Sequence, residues 1–168
     1  MRVGWGIDAH RFGGPGPTLL GGVVVDEARG VEATSDGDVL AHAAADALLG
    51  AIAAGDIGQR FPDSDPAYRG ASSLALLGQV ADTVRASGWR VENLDIVVIA
   101  EEPRLAPHVE SMRRALAETV GADAGRISIK GKTTEGMGFT GRGEGIAAQA
   151  IATLRRLPIT RTRAKSEE

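Results

Sequence analysis

Residues 34–52 read TSDGDVLAHAAADALLGAI, and the way this stretch folds organises the rest of the chain. Ser35-Asp36-Gly37-Asp38 fits a capping box, with Ser35 at the cap and an acid three residues on. Such side chains satisfy the N–H groups that a helix start leaves without partners. Downstream, Val39, Ala43, Ala47 and Ala51 form one row, and Leu40, Ala44, Leu48 and Ile52 form the next. Together they make an apolar stripe at helical period, which predicts a helix over 34–52. Asp38, His42 and Asp46 form a third row along the edge of the stripe. Taken alone, His42 reads as a partly buried histidine satisfied by Asp38 or Asp46.

The N-terminal segment changes that reading. Residues 2–10 alternate, with Val3, Trp5 and Ile7 on one face and Gly4, Gly6, Asp8 and His10 on the other. Asp8 and His10 leave the strand on the same side, about 7 Å apart along it. Asp8, His10 and His42 thus form a three-ligand nitrogen and oxygen set suited to zinc, with one position open.

Working outward, residues 13–17 form a turn, and 18–26 read as a second strand with Gly21-Gly22 as a bulge or kink. Gly55-Asp56-Ile57-Gly58 and Phe61-Pro62-Asp63-Ser64-Asp65-Pro66 form a long acidic loop, read either as a lid or as turns capped by Asp63 and Asp65. Residues 72–87 predict an amphipathic helix, 90–100 a covered central strand, 107–120 a third helix closed by Gly121, and 126–133 the last strand. A glycine-dense loop over 136–145 leads into a final apolar helix at 146–154. Residues 1–156 form one domain, and 157–168 form a charged tail expected to be disordered.

Composition narrows the function classes. The 168 residues carry a net charge of −3 with both signs mixed, which argues against a nucleic-acid surface. No cysteine is present, so neither a disulfide framework nor a thiolate metal site is available. No apolar run is long enough for a bilayer and no signal peptide is visible, so the expected location is cytoplasmic. Gly136 to Gly141 matches G-x-G-x-x-G, but no βαβ unit follows, and a Rossmann reading is rejected. Gly131-Lys132-Thr133 resembles the end of a P-loop, but the position of its first glycine holds Arg126. What remains is a glycine-rich turn offering N–H groups to anions, Arg142 beside it, a second anion-binding end at the start of the Ser35 helix, and Glu135 as an oxygen ligand suited to Mg²⁺.

Assembled in order, Asp8-Ala9-His10, Ser35-Asp36-Gly37-Asp38 through His42, Gly55-Asp56-Ile57-Gly58, Phe61-Pro62-Asp63-Ser64-Asp65-Pro66, and Thr133-Thr134-Glu135 through Gly145 resemble the 2-C-methyl-D-erythritol 2,4-cyclodiphosphate synthase family over residues 1–156. The resemblance implies an α+β fold, a two-layer sandwich whose mixed sheet is covered on one face by helices. It also implies a homotrimer that packs its sheets around a threefold axis, with active sites between subunits. It implies that the 2-phosphate of a cytidine diphosphate substrate attacks its own β-phosphorus and releases CMP. It implies one Zn²⁺ per subunit on Asp8, His10 and His42, and a Mg²⁺ or Mn²⁺ on Glu135 that bridges the α- and β-phosphates.

The same resemblance makes Thr34 and Thr133 catalytic, Thr34 at the position of a histidine that helps stabilise the transition state and Thr133 holding the α-phosphate. Substrate contacts would come from Asp8, His10, Thr34, Ser35, Asp56, Ile57, Gly58, Phe61, Pro62, Asp63, Ser64 and Asp65, and from Lys132, Thr133, Thr134 and Glu135. Ala100, Glu101, Glu102, Pro103, Arg104, Leu105 and Ala106 of a neighbouring subunit would form the cytidine pocket. Phe139 and Arg142 also count among the binding residues, and with Ile7 they would line a central cavity able to hold an isoprenoid diphosphate. Three positions depart from the family pattern: Thr34 replaces a histidine, Lys132 replaces a threonine, and Trp5 is bulkier than expected. Two other functions fit the same ligand set: a zinc phosphohydrolase, and a trimeric binding module without turnover.

Overall fold

The computed structural model describes residues 1–158. A five-stranded mixed sheet runs in the order β4-β1-β7-β5-β6, from β1 (Arg2–Gly14), β4 (Gly30–Val31), β5 (Trp89–Ile99), β6 (Ile127–Lys132) and β7 (Gly145–Arg156). Only β5 and β6 run parallel; the other neighbours are antiparallel. Three helices, α1 (Val39–Ala51), α3 (Ser73–Ala86) and α4 (Val109–Val120), cover one face. A separate hairpin pairs β2 (Thr18–Leu20) with β3 (Val23–Asp26), and two short helices, α2 (Ile57–Arg60) and α5 (Gly138–Gly141), sit in loops.

Small residues set the distance between the layers. Gly4 and Gly6 of β1 face α1, and a Cβ there would lie 1.9 Å from the Ala47 carbonyl oxygen and 2.2 Å from that of Ala43. Opposite them, β7 presents Ala152 to Gly4 and Ala150 to Gly6. The helix backbone therefore rests almost on the sheet, which only side chains this small permit. Larger residues complete the core. Leu40, Leu48 and Leu49 of α1 are fully buried, each burial contributing roughly 1.5–3 kcal/mol. The alternation expected in β1 holds: Val3, Trp5 and Ile7 stand on the uncovered face at 60%, 59% and 49% exposure.

Residues 146–154 are the main correction. They form not a helix but β7, the middle strand, hydrogen-bonded to β1 on one side and β5 on the other. Ile146, Ala148, Ala150, Ala152 and Leu154 point to the core, while Ile151 is half exposed. The alanines favour a helix locally, and a short apolar run does not distinguish the two states. Residues 126–133 are accordingly the penultimate strand, not the last. The G-x-G-x-x-G run opens a single helical turn, α5, and then enters β7.

Other boundaries shift for local reasons. The strand expected over 18–26 is a hairpin, because Gly21 and Gly22 both take positive φ (55° and 73°) and reverse the chain. The helix over 34–52 starts at Val39, and its cap is Asp38 rather than Ser35. β5 is covered on one face only: Leu94, Ile96 and Val98 are buried, and the residues between them lie on the outer side. α4 starts at Val109, two residues later than expected. From residue 159 onward the expected tail lies outside the described residues.

Candidate metal centre and active site

Sheet register and the seat of α1 together build the site. Asp8 and His10 stand on the helix-facing side of β1, opposite Ala148 and Ile146 of β7. His42 comes down from the first turn of α1. His42 Nδ1 lies 2.9 Å from Asp8 Oδ2, His10 Nε2 lies 3.0 Å from the same oxygen, and the two ring nitrogens are 3.2 Å apart. Among the described residues, this is the group of three or more acidic and histidine side chains able to hold a metal ion. A tetrahedral ion with bonds of about 2.0–2.1 Å sets its ligand atoms roughly 3.3 Å apart. The observed triangle is slightly tighter, so the donor set fits such an ion with minor relaxation.

Electrostatics favour the same arrangement. Burial alone would push the Asp8 carboxyl upward, but hydrogen bonds and positive charge from His10 and His42 outweigh it and hold Asp8 well below the usual carboxylate range. Burial likewise disfavours charge on His42, and the Asp8 carboxylate overrides it, raising the imidazole above its ordinary value. The three groups thus already form a strongly coupled cluster of one negative and two basic groups.

The neighbouring acids have structural partners of their own. Asp38 is fully buried and accepts from Gly22 N at 2.7 Å and Ala41 N at 3.0 Å, locking the β2–β3 turn onto the start of α1. Burial pushes its carboxyl upward while these N–H groups pull it down. The start of α1, expected to be an anion-binding end, therefore already holds the chain's own carboxylate. Asp46 accepts from Ile57 N at 2.8 Å and pins α2. Neither acid touches the His42 ring. Instead its Nε2 faces Ser73 Oγ at 2.9 Å and Ser35 Oγ at 3.2 Å, and the sequence reading assigned Ser73 no part in the site.

The triad opens into a cleft of about 490 Å³. Thr34, Ser35, Ile57, Gly58, Phe61 and Asp63 line it, together with Glu32 and Tyr68. Asp56 caps α2 through Gln59 N at 2.7 Å. The 61–66 segment is less irregular than expected: Phe61 is buried and packs edge-on against Tyr68, and Asp65 caps a helical turn over Pro66–Tyr68.

A second hollow of about 320 Å³ gathers Ala100, Glu101, Pro103, Arg104, Leu105 and Ala106 with Lys132 and Thr133. Glu102, Arg142 and Gly143 line a third. Glu101 also works within the chain: its Oε1 accepts from Thr134 N at 2.9 Å and holds the turn that carries Glu135, whose φ is 54°. Arg142 is partnered by Glu144 at 2.7 Å, and Phe139 is partly exposed. In register, Ala9 pairs with Ala147, Ala147 with Ile99, and Ile99 with Lys132. Three strand spacings of about 4.8 Å separate the β1 end from the β6 end by ~14 Å. The cleft at the triad and the second hollow are therefore distinct places on one chain.

Comparison with known proteins agrees with this geometry. The sequence model of the YgbB family matches residues 1–155. A 2-C-methyl-D-erythritol 2,4-cyclodiphosphate synthase of Edwardsiella ictaluri is 55% identical over 154 residues, 92% of this chain and 98% of that protein. The synthase of the same name from Vibrio cholerae is 51% identical, covering 93% and 99%. Among solved structures, a bifunctional IspDF from Campylobacter jejuni superposes with a TM-score of 0.90 at 43% identity, over 93% of this chain and 42% of that one. A 2C-methyl-D-erythritol-2,4-cyclodiphosphate synthase in its CDP-bound form superposes at 0.83 and 34% identity, over 92% and 100%. The chain thus belongs to the YgbB family, that of the 2-C-methyl-D-erythritol 2,4-cyclodiphosphate synthases, and is an enzyme of that family.

Proposed function

We propose that the enzyme converts 4-diphosphocytidyl-2-C-methyl-D-erythritol 2-phosphate into 2-C-methyl-D-erythritol 2,4-cyclodiphosphate and CMP. An oxygen of the 2-phosphate forms a bond to the β-phosphorus, the bond from that phosphorus to the α–β bridging oxygen breaks, and the bridging oxygen leaves on CMP. The convergence of Asp8, His10 and His42 on one point at the floor of an open cleft carries this reading. Zn²⁺ on those three residues, and Mg²⁺ or Mn²⁺ on Glu135, would supply electrophilic stabilisation of the phosphate oxygens.

The protein's own part is positioning. The nucleophile belongs to the substrate, so the cleft has to hold two phosphates in line and shield them from water. Thr34 stands on the cleft wall, where its hydroxyl offers a neutral hydrogen bond in place of a charged ring. Asp56, Ile57 and Gly58 would hold the erythritol hydroxyls beside the triad. Thr133 and Lys132, in the second hollow with Ala100 to Ala106, would hold the α-phosphate and cytidine. The CDP carried by a structural relative supports a nucleotide in that role.

Because the two hollows lie apart on one subunit, the reading joins the metal cleft of one subunit to the second hollow of its neighbour. Val3, Trp5, Ile7 and Ile151 make an uncovered apolar patch on the outer sheet face, which supports a homotrimer closed through these sheets. Phe139 and Arg142 belong, in this reading, to a central cavity able to take an isoprenoid diphosphate.

Incubation with the cytidine diphosphate substrate tests the proposal. CMP and the cyclic diphosphate form in equal amounts, and His42→Ala lowers turnover at least 100-fold while leaving the fold intact. Inorganic phosphate without cyclic product identifies a phosphohydrolase instead, and binding without product identifies a binding module.

A further inference from the structure

The motif residue Asp36 and the buried Ser73 have no place in the chemistry above, yet they meet behind the metal triad. Asp36 N donates to Ala71 O at 3.1 Å, and Asp36 Oδ2 accepts from Ser73 N at 3.0 Å. The other carboxylate oxygen of Asp36 receives the Ser73 hydroxyl in a short hydrogen bond. Ser73, 1% exposed, opens α3, which Ser72 caps. The loop after β4 and the start of α3 are thus stitched together directly behind the His42 ring.

Donor arithmetic decides where the ring proton sits. A carboxylate only accepts, and a hydroxyl has one proton. With that proton committed to Asp36, Ser73 Oγ offers only lone pairs to His42 Nε2, 2.9 Å away. Ser35 Oγ, 3.2 Å from the same nitrogen, accepts from Gly37 N and lies 3.4 Å from Ser73 Oγ, which has a lone pair for the Ser35 hydroxyl hydrogen. With the Ser35 hydrogen on Ser73 and the Ser73 hydrogen on Asp36, Nε2 carries a ring hydrogen and donates it to Ser73 Oγ. Asp8 is also only an acceptor, so the protonated ring donates from Nδ1 to Asp8 Oδ2 as well. With the Nε2 hydrogen held by Ser73, the Nδ1 hydrogen is the one an ion displaces, leaving a lone pair on the atom that faces Asp8 Oδ2 and His10 Nε2. The opposite tautomer would place a hydrogen on Nδ1 and spend it on Asp8, blocking the ligand atom.

We propose that Asp36 and Ser73 are positioning residues of the metal centre, a relay from Asp36 through Ser73 to His42 that fixes the tautomer in which Nδ1 ligates the ion. The inference rests on the zinc site of the proposed function. Partners of this kind typically govern metal affinity by 10- to 100-fold. Ser73→Ala removes the nearer acceptor of the Nε2 hydrogen and leaves Ser35 Oγ at 3.2 Å without the link to Asp36. Asp36→Asn keeps the shape but removes the obligate acceptor, so the Ser73 hydroxyl is free to turn its hydrogen toward Nε2.

The test uses the full chain and zinc alone. Zinc affinity is measured by competition with a chromophoric chelator for the parent and both variants, with circular dichroism and oligomeric state as fold controls. ¹⁵N-histidine spectra of the zinc-loaded parent identify the ligating nitrogen. The expected result is a protonated, slowly exchanging Nε2 on His42 and zinc affinity at least tenfold weaker in each folded variant. Should Ser73→Ala fail to fold, Asp36→Asn decides. Affinity within twofold of the parent in a folded variant, or a spectrum showing Nε2 as the ligand, overturns the relay while the zinc site stands. A parent chain that binds no zinc overturns the zinc site, and the relay with it.

Discussion

At the scale of single residues, the proposed function sets protons and a metal ion in competition for the same lone pairs. Asp8 stays ionised far into acid, because its histidine neighbours hold its carboxyl low against the opposing effect of burial. His42 behaves oppositely: Asp8 raises it above the ordinary imidazole value of 6.5, against burial. A protonated ring cannot ligate, and each ion that binds must displace that proton. Zinc affinity is therefore level at alkaline pH and falls as pH drops, with the fall beginning above the ordinary imidazole range. Titrating zinc affinity between pH 8.5 and 5.5 checks this; an affinity that stays flat down to pH 6 contradicts the coupling of Asp8 to His42. Sequence spacing made the triad itself legible, since a period-two strand and a capped helix each direct their ligands. The partners of His42 were not legible. Asp38 and Asp46 sit on its own helix row and looked closer than Ser73, which arrives from 31 residues away.

At the scale of elements, α1 against β1 matters most, because this contact sets the distance from His42 to Asp8. Gly6 permits it: a methyl there would fall 2.2 Å from Ala43 O and 2.6 Å from Ala47 N. Backbone cannot yield as a side-chain tip does, so Gly6→Ala must lift the helix. We expect a loss of about 3 kcal/mol in unfolding free energy, in line with overpacked cores, together with weaker zinc binding. Denaturant unfolding and zinc competition on the same sample check both; an unchanged midpoint contradicts the packing argument. The alternation of β1 was readable because large and small residues take turns along it. In β7 the inward positions are mostly alanine, so the period-two signal is faint and helix propensity misleads. Its strand state is secured by pairing with β1 and β5, a non-local condition.

At the scale of the whole molecule, the outer sheet face carries an exposed apolar patch. Trp5 and Ile151 are cross-strand partners, and Val3 and Ile7 flank them on the same side. Trp5→Asp places a charge in the centre of this patch. In the trimeric reading it yields monomers by light scattering, with turnover lost and zinc still bound, because the triad lies on the other side of β1. An assembly unchanged by Trp5→Asp removes that patch from the interface. Mixed assemblies test the shared site. His42→Ala disables a metal cleft and Ala106→Trp fills a second hollow, so each variant alone is inactive. Mixed trimers recover turnover where an intact cleft meets an intact hollow; no recovery after subunit exchange argues for sites contained within one chain.

The triad of Asp8, His10 and His42 and the family resemblance are both written in the order of amino acids, because motif spacing on regular elements fixes which side chains share a face. Folding settled what spacing cannot carry. It made 146–154 the central strand, gave Asp38 rather than Ser35 the helix cap, put Ser73 and Asp36 behind His42, and parted the second hollow from the cleft at the triad. Each of these depends on partners distant in sequence. Hydrogen-bond satisfaction and close packing are properties of the assembled layers, and no local window contains them.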